Sequence, residues 1–384
     1  MTSRVLFIDH VGGLGGGEVV LLDMAAAYRD TSTVLLLADG PLRERLEERG
    51  VRVEIIRGNR AMQATRRETR RPSIRAGLEA IRVAMRAVPL ARQHDCLYAN
   101  SQKAFVVACL AGAMARRPVI WDMNDLLTPD HFSALNIKVD VLLANHRARG
   151  VLANSRASAQ ALIARGVRAE KVHVVYDGID SVPFDAVTDA EIACARREFG
   201  VADAPVIGLF GRLAPWKGQR VALQAMQALP GVHLLVVGDA LFGETAYAEA
   251  LRAEVAALGL SGRVHFTGFR RDVPRLMRTV DIVVHTSTAP EPFGLVIVEG
   301  MLARRPVVAT RGGGVEEIVT SGVDGVLVAP GDATELAAAI ERLIADPAAR
   351  RRLANAGRQT ALSRFNMSTM LRDMQERVEG MMRT

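Results

Sequence analysis

The stretch EPFGLVIVEGMLARRPVVAT, Glu291–Thr310, reads as a loop, a helix and a strand in immediate succession. Pro292 and Gly294 favour a tight turn, and the apolar residues after them suit a helix. The run Val307–Ala309 suits a buried strand, and a similar run, Ile282–His285, precedes the loop. A strand, a helix and a strand in this order are typical of a parallel sheet covered by helices.

The same alternation runs through the whole chain. Predicted strands of the first half are Val5–Ile8, Thr33–Leu37, Val53–Ile56, Leu97–Ala99, Val119–Trp121, Val151–Ala153 and Val172–Val175. Predicted strands of the second half are Val206–Phe210, Leu234–Val237, Val264–Thr267, Ile282–His285 and Val307–Ala309. The irregular stretch Tyr176–Pro183 separates the two series and is the predicted hinge. The sequence therefore predicts an α/β protein with two Rossmann-like, doubly wound domains facing across a cleft.

Length and composition agree with two folded domains. The chain has 384 residues, of which 49% are hydrophobic and 4% aromatic, which excludes extended disorder. Its longest nearly uncharged apolar run, Ala104–Ala115, is shorter than the roughly 18 to 20 residues that span a bilayer. The start of the chain lacks the pattern of a signal peptide, so we expect a cytoplasmic protein. The spacing of Cys96, Cys109 and Cys194 predicts reduced, buried thiols.

Positive charge is concentrated in one segment. The formal net charge is +7, and the stretch from Arg57 to Arg86 alone holds nine arginines against Glu68 and Glu79. The part from Arg57 to Arg75 suits an anionic acceptor or an acidic membrane surface, and a solvated loop is the alternative. No aromatic residue interleaves with these arginines, which argues against nucleic acid.

The helix after Gly294 is a candidate phosphate site. The amides of Phe293, Gly294, Leu295 and Val296 begin this helix, and free amides together with the helix dipole favour an anion. Glu299, one turn later, suits a vicinal diol such as that of ribose, although taken alone it also fits a solvated helix residue. Glu291 precedes the helix on the loop, where it is placed to contact a sugar.

A second motif follows the first strand of the second half. Arg212 stands in Phe-Gly-Arg-Leu, and Lys217 stands in the Trp-Lys-Gly that comes after it. Two fixed cations can stabilise the charge that develops on a departing diphosphate, with Arg212 as a fork and Lys217 as a point charge. The two motifs together predict a site for a nucleotide-diphosphate sugar.

A glycine-rich loop, Gly12–Glu18, follows the first strand. Such a loop lets a ligand approach bare backbone, and Gly16 is a candidate for that contact. A dinucleotide fingerprint with Asp39 as the ribose acid is the rival interpretation. It fails because Glu18 occupies the position of the third required glycine.

These motifs, with Val237-Gly238-Asp239, Phe266-Thr267-Gly268-Phe269 and Gly312–Glu317, resemble the GT-B family 4 glycosyltransferases in order and spacing. The resemblance covers the second half densely and the first half loosely. It implies a retaining transferase in which Arg212 and Lys217 bind the diphosphate, Glu299 the ribose, and Glu291 the sugar. Gly238 lies on the donor side by the same resemblance, and Phe269 borders the base. The implied domains are 1–178 on the acceptor side, 179–357 on the donor side, and a terminal helix, 358–384, that crosses back to the first domain.

One position departs from the family pattern. Many members carry His-Asp where this chain has Asn124 and Asp125, after the strand that ends at Trp121. Asparagine hydrogen-bonds a hydroxyl but does not exchange a proton as histidine does. Asn124, Asp125 and Glu291 are the predicted catalytic residues, and whether Asn124 or His131 takes over the histidine role stays open.

No spacing in the sequence suggests a tightly held metal, so we expect no cofactor and a metal-independent reaction. A UDP- or GDP-sugar is the expected donor, and the acceptor is unknown, with an anionic or lipid-linked molecule as the candidate. A GT-B epimerase or phosphorylase is one alternative. A GT-B binding subunit with weakened catalysis is another, and Asn124 motivates it.

Overall fold

The computed structural model describes residues 3–13, 15–59, 74–129, 132–240 and 244–383. Two predictions lie outside these ranges: His131, and the central part of the arginine-rich segment, which contains Arg60, Arg66, Arg67, Arg70 and Arg71. The described chain forms two compact units. One contains the residues up to Asp177 together with those from Ser368 onward, and the other is Gly178–Met367.

The first unit is built on a parallel sheet. Its strands are β1 (Val5–Asp9), β2 (Thr33–Leu36), β3 (Arg52–Ile55), β4 (Cys96–Ala99), β5 (Val119–Met123), β6 (Ala148–Ala153) and β7 (Val172–Val174). The helices between them are α1 (Gly16–Ala27), α2 (Pro41–Glu48), α3 (Ile74–Arg92), α4 (Gln102–Ala115), α5 (Ala134–His146) and α6 (Arg156–Ala164). The strand order is β3-β2-β1-β4-β5-β6-β7. The order reverses between β1 and β4, so the loops after these strands meet at a switch point.

The second unit repeats this design. Its strands are β8 (Val206–Phe210), β9 (His233–Val237), β10 (Val264–Gly268), β11 (Ile282–His285), β12 (Val307–Thr310) and β13 (Val326–Val328). Its helices are α7 (Val182–Asp185), α8 (Asp189–Glu198), α9 (Gln219–Gln227), α10 (Thr245–Ala257), α11 (Val273–Thr279), α12 (Leu295–Leu302), α13 (Val315–Ile318), α14 (Ala333–Ala345) and α15 (Pro347–Arg364). The order β10-β9-β8-β11-β12-β13 places the switch point between β8 and β11. Two doubly wound α/β sheets are therefore confirmed, with β13 as an unpredicted edge strand.

Apolar packing explains why each sheet is covered. Residues of α3, α4, α5 and α6 share one core with the first sheet, where the rings of Phe105 and Trp121 stack 4.3 Å apart. A separate core fills the second unit. Strands buried on both faces read as continuous apolar runs, which is why the sequence locates most of them.

The end of the chain differs from the expected single helix starting at Arg358. Arg358 lies inside α15, which begins at Pro347 with Asp346 as its cap, and a separate helix, α16, spans Met367–Arg383. Between them, the Phe365 carbonyl accepts a hydrogen bond of 2.9 Å from the Ile179 amide. α16 then packs in the first unit, where Met374 Sδ lies 3.8 Å from the Tyr98 hydroxyl.

Two further expectations from composition can be compared with the structure. Within the described ranges, no helix is long and apolar enough to cross a membrane. Cys96 and Cys109 are buried as expected, but Cys194 is exposed on α8. The expectation for Cys194 was wrong because its helix turns that position toward solvent.

Candidate active site

The carboxylate of Glu291 is the most closely held group at the switch point of the second sheet. Its Oε1 accepts hydrogen bonds from Lys217 Nζ at 2.6 Å, His285 Nε2 at 3.0 Å and Ser287 Oγ at 2.5 Å. Burial alone would raise the pKa of Glu291, but the Lys217 ammonium and the His285 hydrogen bond outweigh it. The pKa is therefore lowered from 4.5, and the group stays ionised.

Thr310, at the end of the neighbouring strand β12, positions His285. Its Nδ1 lies 3.4 Å from Thr310 Oγ1 at the end of β12, and that hydroxyl donates to the Ser287 carbonyl at 2.7 Å. Sequence reasoning placed His285 only at the end of a strand and missed its role in holding Glu291. Its position directly after a predicted strand was the signal that could have found it.

The glycine motif Gly312–Gly314 fixes the backbone of Glu291. Gly313 has a φ of +68°, and a Cβ there would lie 2.0 Å from the Glu291 carbonyl oxygen. The same carbonyl accepts a hydrogen bond of 2.9 Å from the Gly314 amide. Any side chain at Gly313 would displace the loop, so this glycine is required by close approach as well as by its φ angle.

Arg212 and Lys217 lie beside the same indole ring. The Lys217 ammonium is 4.3 Å from the centroid of Trp216, and the Arg212 guanidinium carbon is 5.6 Å from it. Gly218, with a φ of +69°, ends this turn and begins α9, and a Cβ there would meet the Thr286 carbonyl. The second unit thus brings together Arg212, Lys217 and Glu291, as the two motifs required.

The loop after Glu291 leads directly into α12. Gly294 has a φ of +119° and precedes the first helical residue, Leu295, with Val296 next. The Phe293 side chain is buried and meets Phe365 edge to face at 5.5 Å, so this ring packs into the interior of the unit. The arrangement leaves the first amides of α12 without helical acceptors, which suits an anion.

Glu299 differs from Glu291 in its surroundings. It is partly exposed on α12, and among the described residues no side chain hydrogen-bonds its carboxylate. Desolvation raises its pKa from 4.5 to about 7. A carboxylate without protein donors can accept two hydrogen bonds from a diol.

The glycines at the ends of β8, β9 and β10 lie together. The Gly238 amide donates to the Gly268 carbonyl at 3.0 Å, and a Cβ on Gly238 would lie 2.0 Å from the Gly211 carbonyl oxygen. Phe269 follows Gly268 and is 59% exposed. An exposed aromatic ring beside three close-packed glycines offers a flat surface against which a base can stack.

The first unit gathers the other predicted residues at the switch point of its sheet. Gly16 is the exposed first residue of α1, and the half-buried Asn124 and Asp125 follow β5. A Cβ on Gly17 would lie 3.5 Å from Asn124 Nδ2, so the glycine loop and Asn124 are neighbours. Asn124 Nδ2 donates to Asp122 at 3.2 Å and to Asn100 at 3.4 Å, and Asn124 Oδ1 is buried with no hydrogen-bond partner in the described chain.

Glu18 and His10 were missed by sequence reasoning. Glu18 Oε2 accepts a hydrogen bond of 2.9 Å from the Gly15 amide, and its pKa is raised to about 7, first by burial and then by Asp9. His10 Nδ1 lies 2.7 Å from Ser101 Oγ and 3.3 Å from Asp9 Oδ1. Asp9 also accepts a 2.6 Å hydrogen bond from Asn100 Nδ2, which links His10 to Asn124 through side chains.

The remaining predictions concern charge and metals. Arg57 is exposed and pairs with Asp39 at 2.9 Å, and Arg75 is exposed near the start of α3. Among the described residues, no group of three His, Cys, Asp or Glu side chains is arranged to hold a metal ion.

Two family models match the chain. Residues 15–178 match the glycosyl transferase 4-like domain, and residues 195–360 match glycosyl transferases group 1. The two matched regions correspond to the two units of the structure.

Curated relatives and a solved structure agree with these models. The chain is 39% identical over 165 residues to the lipopolysaccharide core biosynthesis glycosyltransferase LpsE of Rhizobium meliloti, covering 43% of this chain and 47% of the relative. It is 34% identical to the 2-deoxystreptamine glucosyltransferase of Streptomyces kanamyceticus, covering 58% of each. The matches thus span about half the length of these curated relatives. HepE of Anabaena, solved with UDP and glucose, is 40% identical with a TM-score of 0.91, covering 98% of this chain and 99% of HepE.

Proposed function

The chain belongs to the GT-B family 4 glycosyltransferases, and on that premise we propose that it transfers a sugar from a nucleotide-diphosphate donor to an acceptor hydroxyl, with retention of configuration and without a metal ion. The observation that carries this proposal is the Glu291–Lys217 pair, with Arg212 beside the same indole ring as Lys217 and with Glu291 on the loop that precedes α12. The epimerase, phosphorylase and binding-subunit alternatives are outcomes of the test below.

Glu291 orients the donor sugar. In the described chain, all hydrogen bonds to this carboxylate reach Oε1, which leaves Oε2 to accept from a sugar hydroxyl. Because the lowered pKa keeps the group ionised, its hydrogen bond to a hydroxyl is charge-assisted. A fixed carboxylate selects one pose of the sugar and so favours the reactive geometry.

Arg212, Lys217 and the α12 amides bind the diphosphate. An ammonium has three N–H donors, so Lys217 can bond Glu291 and still donate to phosphate oxygens. Negative charge grows on the diphosphate as the sugar bond breaks, and fixed cations stabilise that charge without reorganising. This supplies the neutralisation that a divalent ion provides in other transferases, and transfer should therefore persist in EDTA.

The nucleoside lies toward Glu299 and Phe269. Glu299 accepts from the ribose hydroxyls, and Phe269 borders the base beside Gly238. A UDP- or GDP-sugar is the proposed donor, and UDP is the first choice because HepE, at 40% identity, is solved with UDP-glucose.

Retention follows if the acceptor attacks from the face that the diphosphate leaves. The departing phosphate then accepts the acceptor proton, so no strong protein base is required. Asn124 holds a donor or acceptor hydroxyl by hydrogen bonding instead of proton exchange, with Asp125 beside it and Gly16 giving backbone access. The buried Asn124 Oδ1 without a described partner is the atom available for that bond.

The acceptor is proposed to be anionic or lipid-linked. We also propose that the protein acts in the cytoplasm and contacts the inner membrane face through the arginine-rich segment Arg57–Arg75. The concentration of arginine there is the support, because basic segments are attracted to anionic lipids.

The test is a thermal-shift screen with UDP-, GDP-, ADP- and dTDP-sugars, each with EDTA and with magnesium. We expect one nucleotide class to raise the melting temperature equally under both conditions. Product analysis then separates the alternatives: an epimerase converts the donor alone, a phosphorylase needs phosphate, and a binding subunit binds without turnover. No stabilisation by any nucleotide sugar would refute the proposed function.

A further inference from the structure

The solvent side of α3 carries an apolar row. Ile74, Leu78, Ile81 and Met85 are 80%, 63%, 44% and 53% exposed. Their spacing of four, three and four residues places them on one line along the helix, opposite the alanine-rich side that packs into the core. Single exposed apolar residues are ordinary, but an aligned row of four marks an interaction surface.

A basic row runs beside the apolar one. Arg75, Arg82 and Arg86 recur at the same helical spacing, displaced to one side of the apolar row. Glu79 is the sole acid in the sequence of α3, and it is buried and bonded to Arg82. The exposed surface of the helix is therefore apolar and positive.

A second apolar row lies on the same side of the sheet. Leu135, Val139 and Leu142 of α5 are 39%, 36% and 59% exposed with the same helical spacing. α3 packs against α4, α4 packs against α5, and all three share one core with the first sheet. Their outer sides thus belong to one face of the unit, where Lys138 adds another exposed cation.

From this surface we infer that α3 docks the protein onto an anionic lipid bilayer, with its apolar row in the acyl boundary and its arginines at the headgroups. Amphipathic helices with cations beside an apolar face bind membranes in this orientation, and arginine stems can extend along apolar surface while their charges reach phosphate. A second copy of the chain fits less well. The arginine rows of the two copies would face and repel each other.

This inference is independent of sugar transfer, because lipid binding is measured without a donor. It also differs from the proposed attraction of the arginine-rich segment, since it assigns binding to apolar residues of α3. The two are separable by substitution, because the central arginines, Arg66, Arg67, Arg70 and Arg71, precede α3 in the chain.

The experiment is flotation of the full chain with phosphatidylcholine vesicles, with and without phosphatidylglycerol. We expect binding only with phosphatidylglycerol, weakened by salt, and reduced at least about tenfold by the double variant Leu78→Ser, Ile81→Ser. Arg75→Gln with Arg86→Gln should weaken it as well. Val323→Ser, which changes an exposed apolar residue of the second unit, is the matched control and should leave flotation unchanged. Thermal melting and donor binding should be unaltered in all variants because the substituted side chains are exposed.

Three results would overturn the inference. The first is flotation of the wild type that does not exceed that of the Leu78→Ser, Ile81→Ser variant, including no flotation of either. The second is loss of binding only when Arg66, Arg67, Arg70 and Arg71 become serine, which would assign the contact to that segment alone. The third is a wild-type dimer in sedimentation analysis that Leu78→Ser, Ile81→Ser dissociates, which would assign the surface to a second copy.

Discussion

Substituting Lys217 by methionine removes the ammonium from Glu291 and retains most of the side-chain volume. The side chain of Glu291 is 6% exposed and that of Lys217 is 22% exposed, so the pair is shielded from water. Removing one partner of a fully buried pair costs about 3–5 kcal/mol. Since His285 and Ser287 still donate to Oε1 and Lys217 keeps some solvent contact, we expect a loss of about 2–3 kcal/mol in the free energy of unfolding of the second unit.

The assay is urea unfolding at pH 7, followed by the fluorescence of Trp216. A Trp121→Phe background removes the other tryptophan, so the signal reports the unit that contains the pair. Glu291→Gln serves as the second arm of a double-mutant cycle. If the ion pair causes the loss of stability, Lys217→Met should lower the free energy of unfolding by at least about 1 kcal/mol less in the Glu291→Gln background than in the absence of that substitution.

Acid titration gives an independent check. The pKa of Glu291 is lowered in the folded protein, so its stabilising contribution is complete above the ordinary value of 4.5 and is lost as pH falls through the lower folded pKa. The difference in the free energy of unfolding between the wild type and Lys217→Met should therefore be constant near neutrality and shrink below about pH 4. A loss under about 0.5 kcal/mol at pH 7, or a loss unaffected by Glu291→Gln, would refute the reasoning.

Three further changes probe the rest of the site. In the wild type, donor affinity should fall as pH drops below about 7, because protonation of Glu299 removes an acceptor for the ribose diol. Glu299→Gln should remove this pH dependence. A calorimetric titration with the same affinity at every pH in both proteins would contradict the role of Glu299. Gly313→Ala should abolish transfer and lower the melting temperature, because its Cβ would collide with the Glu291 carbonyl, whereas the control Gly322→Ala, at another positive φ with open space around it, should leave transfer intact. Wild-type activity of Gly313→Ala would contradict the role of Gly313 in fixing the Glu291 backbone. His10→Gln should lower kcat while donor affinity is kept, because His10 is linked to Asn124 through Asp9 and Asn100. An unchanged kcat, measured at saturating donor, would contradict a role for this linkage in transfer.

Strands such as β1, β8 and β12 were predictable because they are buried along their whole length and read as nearly continuous apolar runs. β13 was missed because its three residues, Val326–Val328, lie between turns and give no periodic signal. The break between α15 and α16 was missed for a different reason. It depends on Phe365 packing against Phe293 and on its carbonyl meeting Ile179, and local sequence encodes neither contact.

The site shows the same division between local and distant determinants. The turn at Gly294 and the acids at Glu291 and Glu299 follow from residue type and spacing. The bond between Lys217 and Glu291 joins residues 74 positions apart, and no local rule gives the Oε1 contact or the opposite pKa shifts of the two glutamates. Glu18 occupies the third glycine position of a dinucleotide fingerprint, and nothing in that pattern predicts its hydrogen bond from the Gly15 amide or its raised pKa.

The most direct test of the account measures UDP release and glycoside formation together, with UDP-glucose and a panel of lipid-linked and anionic acceptors in EDTA. The wild type should release one UDP for each glycoside formed, with the α-configuration of the donor kept in the product. Glu291→Gln and Lys217→Met should each lower kcat/KM by at least about 100-fold. Near-normal turnover by either variant would contradict the assignment of this pair to the donor site.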